Sequence, residues 1–322
     1  MTIASESPNP LSEVLFAGGG EMGALMRSHN WSSTPLGPVE NWSPTLRSMV
    51  STMLASRFSQ TIFWGDDLIQ LYNDACIANY GRNHPKALGL PLRETWSEIW
   101  DDQIKPMFKG IKDTGEAVFA EDLLFQLLRF GDLEEAYFTV CYSPILDEVG
   151  KFSGILCTNT ETTQQVIDRR RLTMLREVAT AGSGAKTLQS ACTAAADTLN
   201  PYDIPFTLFY QVNSEGNLAE LVAASGLSAD SAAAPPTMTL TPGSDTSNST
   251  EQSQGWLLTE VLQSREPLLM TDVGDRFGVL PGGPWPESPR SAMILPILSG
   301  SKEQAECLLV AGISPRLQFN SG

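Results

Sequence analysis

Hydrophobic residues in the first half of the chain change their spacing twice, which predicts strands, then helices, then strands again. Two short apolar runs, 60–64 and 68–72, are separated by Gly65-Asp66-Asp67, which has the length and composition of a hairpin turn. Residues 75–115 then show mainly helical spacing, interrupted by prolines and glycines. Three more apolar segments follow, with glycine-containing turns between them: 117–128, 135–146 and 152–160.

The segment before the first strand predicts a helical and turn extension over residues 1–45. Its clearest signal is at its end, where Ser43 precedes Pro44, a residue well suited to the first position of a helix. The positions that follow carry apolar residues at intervals of three and four, which is typical of an amphipathic helix: Leu46, Met49, Val50, Met53 and Leu54.

Helical spacing returns over 164–200, and this stretch predicts a connecting helix. Leu172, Leu175 and Ala179 share one face of it, and no helix-breaking residue occurs before Gly182. Apolar runs at 205–212, 218–224, 267–273, 292–298 and 307–313 predict a second set of strands over residues 201–319, with a short helix at 256–263. The small, polar residues of 228–255 predict a long loop.

The composition excludes several classes of function without identifying one. A chain of 322 residues is long enough for two domains, and its formal charge of −16 disfavours nucleic acid and anionic membrane surfaces. No signal peptide or apolar membrane span is evident, and five scattered cysteines form no C-x-x-C pair. We therefore expect a cytoplasmic protein without membrane insertion. With only two histidines, His29 and His84, the sequence predicts no metal site.

Two glycine-containing motifs resemble nucleotide-binding loops but lack the required context. Residues 18–23 match the G-x-G-x-x-G pattern, yet the chain then enters a proline-rich turn instead of a second strand with an acidic end. Residues 184–187 resemble the end of a phosphate-binding loop, but Ala185 replaces the glycine before the lysine. We interpret both as structural turns.

Short motifs in the first 170 residues resemble, in their order, the N-terminal PAS domain of a large group of sensor histidine kinases. They include Phe63-Trp64-Gly65, Leu71-Tyr72-Asn73-Asp74, the segments 81–85, 87–89 and 96–100, Tyr142-Ser143-Pro144-Ile145 and Thr160-Glu161-Thr162-Thr163. The leading segment 18–31, the turn 34–38 and Trp42 fit the same pattern. The resemblance implies a PAS domain over 46–163.

In that group a GAF domain commonly follows the PAS domain, and residues 201–319 are similar to one in element order, although the closing helix is missing. The resemblance implies an α+β fold with two tandem antiparallel sheets joined by a signalling helix. It also implies the sensory input region of a two-component phosphorelay. A kinase core needs a phosphoacceptor histidine and an ATP-binding domain, and no histidine follows His84. We therefore expect no catalysis by this chain, and a sequence truncated before the kinase core.

A PAS-like sheet with helices on one face would enclose an apolar pocket for an unknown small molecule, with no implied cofactor. We predict its lining as Phe63, Leu71, Tyr80, Trp96, Phe138 and Cys157. The alternative is that these side chains only fill the core. A flavin site is not expected, because the sequence around Cys76 does not match the flavin-binding motif.

We expect the connecting helix to carry the output signal. Leu172, Leu175 and Ala179 would form either a parallel seam in a homodimer or a face packed on the chain's own sheet. The expected macromolecular partner is a kinase core or a response regulator. The rival hypothesis is a small-molecule enzyme that uses His84 with Asp74 or Glu98.

Overall fold

Antiparallel strands form two sheets, accompanied by helices, in the computed structural model, which describes residues 10–229, 231–240, 255–298 and 305–317. The chain divides into two compact units, Met1–Val166 and Ile167–Gly322, and the boundary lies near the start of a 21-residue helix. Each unit has one sheet and its own apolar core.

The sheet of the first unit has the five strands expected from the sequence, in the order β2-β1-β5-β4-β3 and antiparallel throughout. These strands are β1 (Ser59–Trp64), β2 (Ile69–Tyr72), β3 (Val118–Leu127), β4 (Glu134–Leu146) and β5 (Phe152–Glu161). Alternate residues along β4 are buried, as expected for strands with one face against a core. The pattern of apolar positions therefore located all five strands.

Seven helices accompany this sheet in the described part of the first unit. They are α1 (Pro10–Leu15), α2 (Gly20–Ser28), α3 (Pro44–Ala55), α4 (Ile77–Tyr80), α5 (Leu92–Thr95), α6 (Ser97–Ile99) and α7 (Lys105–Thr114). A π-helical turn, Trp100–Ile104, joins α6 to α7. Helix α3 begins as expected: the Ser43 hydroxyl accepts a hydrogen bond from the Leu46 amide at 3.1 Å, and Pro44 is the first helical residue.

The segment before α3 is part of the core of the first unit. Phe16, Met22 and Met26 are fully buried, and the Trp31 and Trp42 rings meet edge to face with their centroids 4.9 Å apart. Helix α3 in turn packs on β1 and β2. The N-terminal residues therefore cover one face of the sheet.

The side chain of Asp74, from another segment of the chain, caps the N-terminus of α2. Its carboxylate accepts hydrogen bonds from the Met22 amide at 2.8 Å and the Glu21 amide at 3.2 Å. Gly20 has a φ of +45°, and a β-carbon at this position would collide with the same carboxylate. The glycine-rich motif therefore makes a close turn, and a side chain already occupies the place where a nucleotide phosphate would bind.

The second unit has a six-stranded antiparallel sheet in the order β8-β7-β6-β11-β10-β9. Its strands are β6 (Thr207–Val212), β7 (Leu218–Ser225), β8 (Thr237–Thr239), β9 (Leu268–Met270), β10 (Ala292–Leu298) and β11 (Ala305–Gly312). Its helices are α8 (Thr163–Ser183), which begins in the first unit, α9 (Leu188–Thr198), α10 (Leu258–Ser264) and α11 (Val273–Phe277). Helix α9 packs on β6 and β7. No helix among the described residues has both the length and the apolar content needed to cross a membrane.

Three elements of the second unit differ from the prediction. The connecting helix expected over 164–200 is two helices, α8 and α9, because the chain leaves the helical conformation over 184–187. Strand β8 lies inside the region expected to be a loop, while residues 241–254 of that region lie outside the described residues. The strand expected over 267–273 is shortened by α11, because the Asp272 carbonyl accepts hydrogen bonds from the Asp275 and Arg276 amides and starts a helical turn. A turn of this kind depends on local hydrogen bonds that hydrophobic spacing does not reveal.

Candidate functional site

A cavity of about 90 Å³ lies in the first unit, between the sheet and the helical segments that follow β2. The sheet contributes Thr61, Phe63, Phe125, Leu127, Phe138, Val140, Tyr142, Cys157 and Asn159 to its lining. The helical segments contribute Asn79, Tyr80, Leu92, Trp96, Ile99 and Ile104. Six of these fifteen side chains are aromatic and none is charged, which is the usual chemistry of a site for a small apolar molecule.

Five of the six residues predicted to line a pocket do line this cavity: Phe63, Tyr80, Trp96, Phe138 and Cys157. Leu71 is the exception, although it is fully buried. In the β1–β2 ladder Leu71 is paired with Ile62, and paired residues point to the same face of a sheet. Since Thr61 and Phe63 face the cavity, Ile62 and Leu71 must face the opposite side, which α3 covers. The prediction for Leu71 was therefore wrong, and the register of the two strands is the reason.

Sequence reasoning missed the polar part of the lining. Asn79 Nδ2 donates hydrogen bonds to Asn159 Oδ1 at 2.9 Å and to Ser59 Oγ at 3.0 Å. Asn159 lies two residues beyond Cys157 on β5, so strand alternation places both on one face. The alternation along β5 could have predicted Asn159 from the sequence, whereas the position of Asn79 depends on the packing of α4.

The titratable groups of the cavity remain uncharged at neutral pH. Burial raises the pKa of the Cys157 thiol to about 12 and also raises the pKa of Tyr142 and Tyr80. The Tyr80 hydroxyl is held in place, since it donates to Gln70 Oε1 at 3.1 Å. The cavity therefore presents neutral donors and acceptors on aromatic walls, and Cys157 is no thiolate nucleophile.

Next to the cavity, a buried arginine joins the β3–β4 turn to the end of β5. The Arg129 guanidinium donates to Glu134 Oε1 at 2.9 Å and to the two oxygens of Glu161 at 2.8 and 2.6 Å. Thr163 Oγ1 donates to Glu161 Oε1 at 2.8 Å. Burial alone would raise the pKa of Glu161, but the bonds and charge of Arg129, with the bond from Thr163, hold that pKa below its ordinary value.

Phe138 connects this ion pair to the cavity. Its ring lines the cavity and lies 5.6 Å from the Arg129 guanidinium, and it is paired with Glu161 in the β4–β5 ladder. Thr163 is the first residue of α8, and its hydroxyl accepts a hydrogen bond from the Tyr137 amide at 2.9 Å. Contacts therefore run from the cavity wall through Arg129 and Glu161 to the start of α8.

The acid–base pair of the rival hypothesis is not assembled. The His84 ring nitrogens contact Tyr72 at 3.0 Å and Glu21 at 3.0 Å. Asp74 instead binds the amides at the start of α2, and Glu98 accepts from the Leu128 amide at 3.2 Å. The Tyr72 side chain is fully buried, and burial raises its pKa. Predicting Asp74 or Glu98 as the partner of His84 was wrong, because neither position is brought to the imidazole by the fold.

The apolar face of α8 is exposed. Leu172 and Leu175 have exposed fractions of 68% and 62%, and Ala179 is also exposed. The opposite face carries Arg170, which forms a bidentate ion pair with Asp203 at 3.0 and 2.6 Å. The role of the stripe, as a seam between two copies or as a face packed on the chain's own sheet, stays a prediction.

Within the described residues, no group of three or more His, Cys, Asp or Glu side chains could hold a metal ion.

Comparisons with known proteins identify no family for the chain: no family model matches it, and no curated protein matches it. Among solved structures it is similar to the GAF domain of a phosphoenolpyruvate-protein phosphotransferase from Acinetobacter, with 17% identity, a TM-score of 0.33, and coverage of 47% of this chain and 81% of the other. It is also similar to residues 122 to 287 of a methyl-accepting chemotaxis protein, with 16% identity, a TM-score of 0.31, and coverage of 45% and 84%. A third similar structure is the free methionine-R-sulfoxide reductase from Neisseria meningitidis in complex with its substrate, with 13% identity, a TM-score of 0.31, and coverage of 47% and 77%. At these TM-scores the likeness defines neither family nor activity.

Proposed function

We propose that this chain is a sensory input module whose first unit binds a small uncharged molecule in the aromatic cavity. Occupancy of the cavity changes the contacts at the start of α8. The order of strands and the motifs of the first unit support a PAS domain, and the antiparallel sheet of the second unit, with α9 on one face, supports a GAF domain. The module serves a two-component phosphorelay, and its partner is a kinase core or a response regulator.

The position of Phe138 is the observation that carries the proposal. A ligand in the cavity contacts the Phe138 ring, which also lies against the Arg129 guanidinium. Arg129 is only 4% exposed, so its charge depends on Glu134 and Glu161 for compensation. A shift of the ring therefore changes the contacts of the Arg129 ion pair, and water cannot replace these buried contacts without a cost in free energy. Glu161 transmits the change to Thr163 at the start of α8.

The lining restricts the class of ligand. Taking a charged group into this cavity would require a partner charge, and none of its lining residues supplies one. Aromatic walls favour flat or compact apolar molecules, and Asn79 and Asn159 provide hydrogen-bonding groups at one side. The proposed ligand is a neutral aromatic or aliphatic molecule with at most one or two polar groups.

The exposed leucines of α8 support transmission to a second copy of this chain. Leu172, Leu175 and Ala179 are spaced by three and four residues, which is the spacing of a coiled-coil seam. In a parallel pair, a change at Thr163 would alter the packing of the two helices. No catalytic step is part of the proposal.

A cavity-filling variant tests the binding step. Val140→Phe places a larger side chain on the cavity face of β4, while Ser143→Phe makes the same kind of addition on the opposite face of the strand. Indole and naphthalene serve as neutral aromatic probes, and the melting temperature of the full chain is the measurement. We expect both probes to raise it in the unchanged protein and in Ser143→Phe, but not in Val140→Phe.

Hydrogen exchange at the amides of 161–167, measured with and without indole, tests the transmission step. We expect indole to change the exchange of these amides in the unchanged protein and to have no effect in Val140→Phe. Equal responses of the two proteins to the probe, or no response of the unchanged protein to either probe, would contradict the proposed sensory cavity.

A further inference from the structure

Two buried cysteines in the second unit have their sulfur atoms in contact. Cys192 Sγ and Cys307 Sγ are 3.8 Å apart, although 115 positions separate the residues in the chain. Their exposed fractions are 4% and 0%. A disulfide has an S–S length of about 2.05 Å, so the two atoms need to approach by about 1.8 Å, which small side-chain rotations supply when the backbones are already close.

The two residues lie on different elements. Cys192 is on α9, and Cys307 is on β11, in the middle of the sheet between β6 and β10. Together with Ala196 and Phe209 they form a small apolar cluster beneath the helix. A bond between the two sulfurs would therefore fasten α9 to the sheet.

The two thiols differ in acidity, which favours one of them as the site of first oxidation. The Cys307 thiol is placed to donate its proton to the Cys192 sulfur, which lowers the pKa of Cys192 and raises the pKa of Cys307. Cys192 is thus the more readily ionised member of the pair, and Cys307 lies beside it as a resolving thiol.

We propose that Cys192 and Cys307 are a redox-responsive dithiol, which a peroxide converts to a disulfide that fastens α9 to β11. The Cys192 thiolate attacks one oxygen of hydrogen peroxide, forming a sulfenic acid and releasing hydroxide, which takes up a proton to become water. The Cys307 sulfur then attacks the sulfenic sulfur, and a second water leaves with the Cys307 proton. Two thiols lose two electrons in total and the peroxide gains them. A small dithiol reductant reverses the step.

The environments of the other cysteines favour this pair. Cys76 Sγ lies 3.0 Å from the Ser59 hydroxyl, and burial raises its pKa. Burial also raises the pKa of Cys157, to about 12, and its sulfur accepts a hydrogen bond from Asn159. Cys141 is half buried, with its sulfur 3.6 Å from the Ser143 hydroxyl. Cys141 is the competing site for oxidation, and it serves as the internal control.

The test uses the full chain, reduced and then freed of reductant. Hydrogen peroxide is added in increasing amounts, free thiols are blocked with N-ethylmaleimide, and the protein is analysed by intact mass and by peptide mapping without reduction. We expect a loss of two hydrogen atoms and of two blockable thiols per chain, one linked peptide pair containing Cys192 and Cys307, and reversal by dithiothreitol. The oxidised chain should also melt at a higher temperature than the reduced chain.

Cys192→Ala and Cys307→Ala should each abolish the linked pair, while Cys141→Ala should retain it. Melting curves under reducing conditions verify that each variant folds, and the peptide map of the unchanged chain gives the result without any variant. A peroxide dose that oxidises Cys141 but leaves Cys192 and Cys307 unlinked would overturn the proposal. Linkage of either residue to another cysteine, or oxidation of Cys192 to a sulfinic acid without a link, would overturn it as well.

Discussion

Replacing Glu161 by glutamine should show how much the ion pair at the start of α8 stabilises the first unit. Glu161 accepts three hydrogen bonds, two from Arg129 and one from Thr163. A glutamine side chain has one acceptor oxygen, so it loses one of the Arg129 bonds and leaves the other without an ionised acceptor. Arg129 keeps Glu134 as its remaining charged partner.

The size of the effect follows from these contacts. Losing one charge-assisted bond costs about 1.5 to 3 kcal/mol, and removing the charge from the other costs about 1 kcal/mol more. The Glu161 side chain is 31% exposed, so water recovers part of this loss. We expect the free energy of unfolding to fall by about 2 kcal/mol at pH 7. Glu116→Gln, an exposed exchange two residues before β3, should change it by less than about 0.5 kcal/mol.

The pH dependence provides the stricter assay. Because the folded-state pKa of Glu161 lies below its ordinary value of 4.5, its stabilising effect is complete above that value and is lost as the pH falls through the folded-state pKa. The difference between the unchanged protein and Glu161→Gln should therefore be full at pH 7 and should shrink below about pH 4.5. Urea unfolding followed by tryptophan fluorescence reports mainly on the first unit, since all tryptophans except Trp256 and Trp285 lie within 1–166.

A difference that is equally large at pH 7 and pH 3.5 would refute this reasoning, because it would show that the carboxylate charge is not responsible. So would a Glu161→Gln protein as stable as Glu116→Gln at pH 7. Either result would also remove the link between Phe138 and α8 on which the sensory proposal depends.

Three further outcomes follow from other contacts. Asp203→Asn should lower the stability of the second unit by about 3 kcal/mol, because it removes the negative charge and one hydrogen bond from a bidentate ion pair with Arg170 whose side chains are only 12% and 6% exposed. Urea unfolding measures this, and Glu215→Gln is an exposed control. Leu175→Glu should convert a dimer to a monomer in light-scattering measurements of molar mass, and an unchanged dimer would contradict the seam. Asp74→Ala should cost about 1 kcal/mol by removing the cap of α2, and a melting temperature equal to that of the unchanged protein would contradict this role.

Short-range features of the sequence were sufficient for most of the elements. The five strands of the first unit were located from alternation and turn residues, and α3 began at Pro44 after the Ser43 cap, as expected. Such features depend on residues within a few positions of one another, where spacing and backbone preference act directly. They also selected the six predicted cavity residues, five of which line the cavity.

The face to which Leu71 points was decided by the tertiary structure. Residue spacing within β2 cannot reveal that Leu71 pairs with Ile62, and shifting the pairing by one residue would have turned Leu71 towards the cavity. The same limit applies to His84, whose contact with Glu21 spans 63 positions of the chain.

By itself, the sequence determined two α+β units, the strands of the first sheet and the aromatic character of its pocket. Only the tertiary structure brought Arg129 to Glu161 and Cys192 to Cys307, which lie 32 and 115 positions apart. Contacts over such separations depend on the register and packing of whole elements, because local preference acts over a few residues and carries no information about which distant element will be the neighbour.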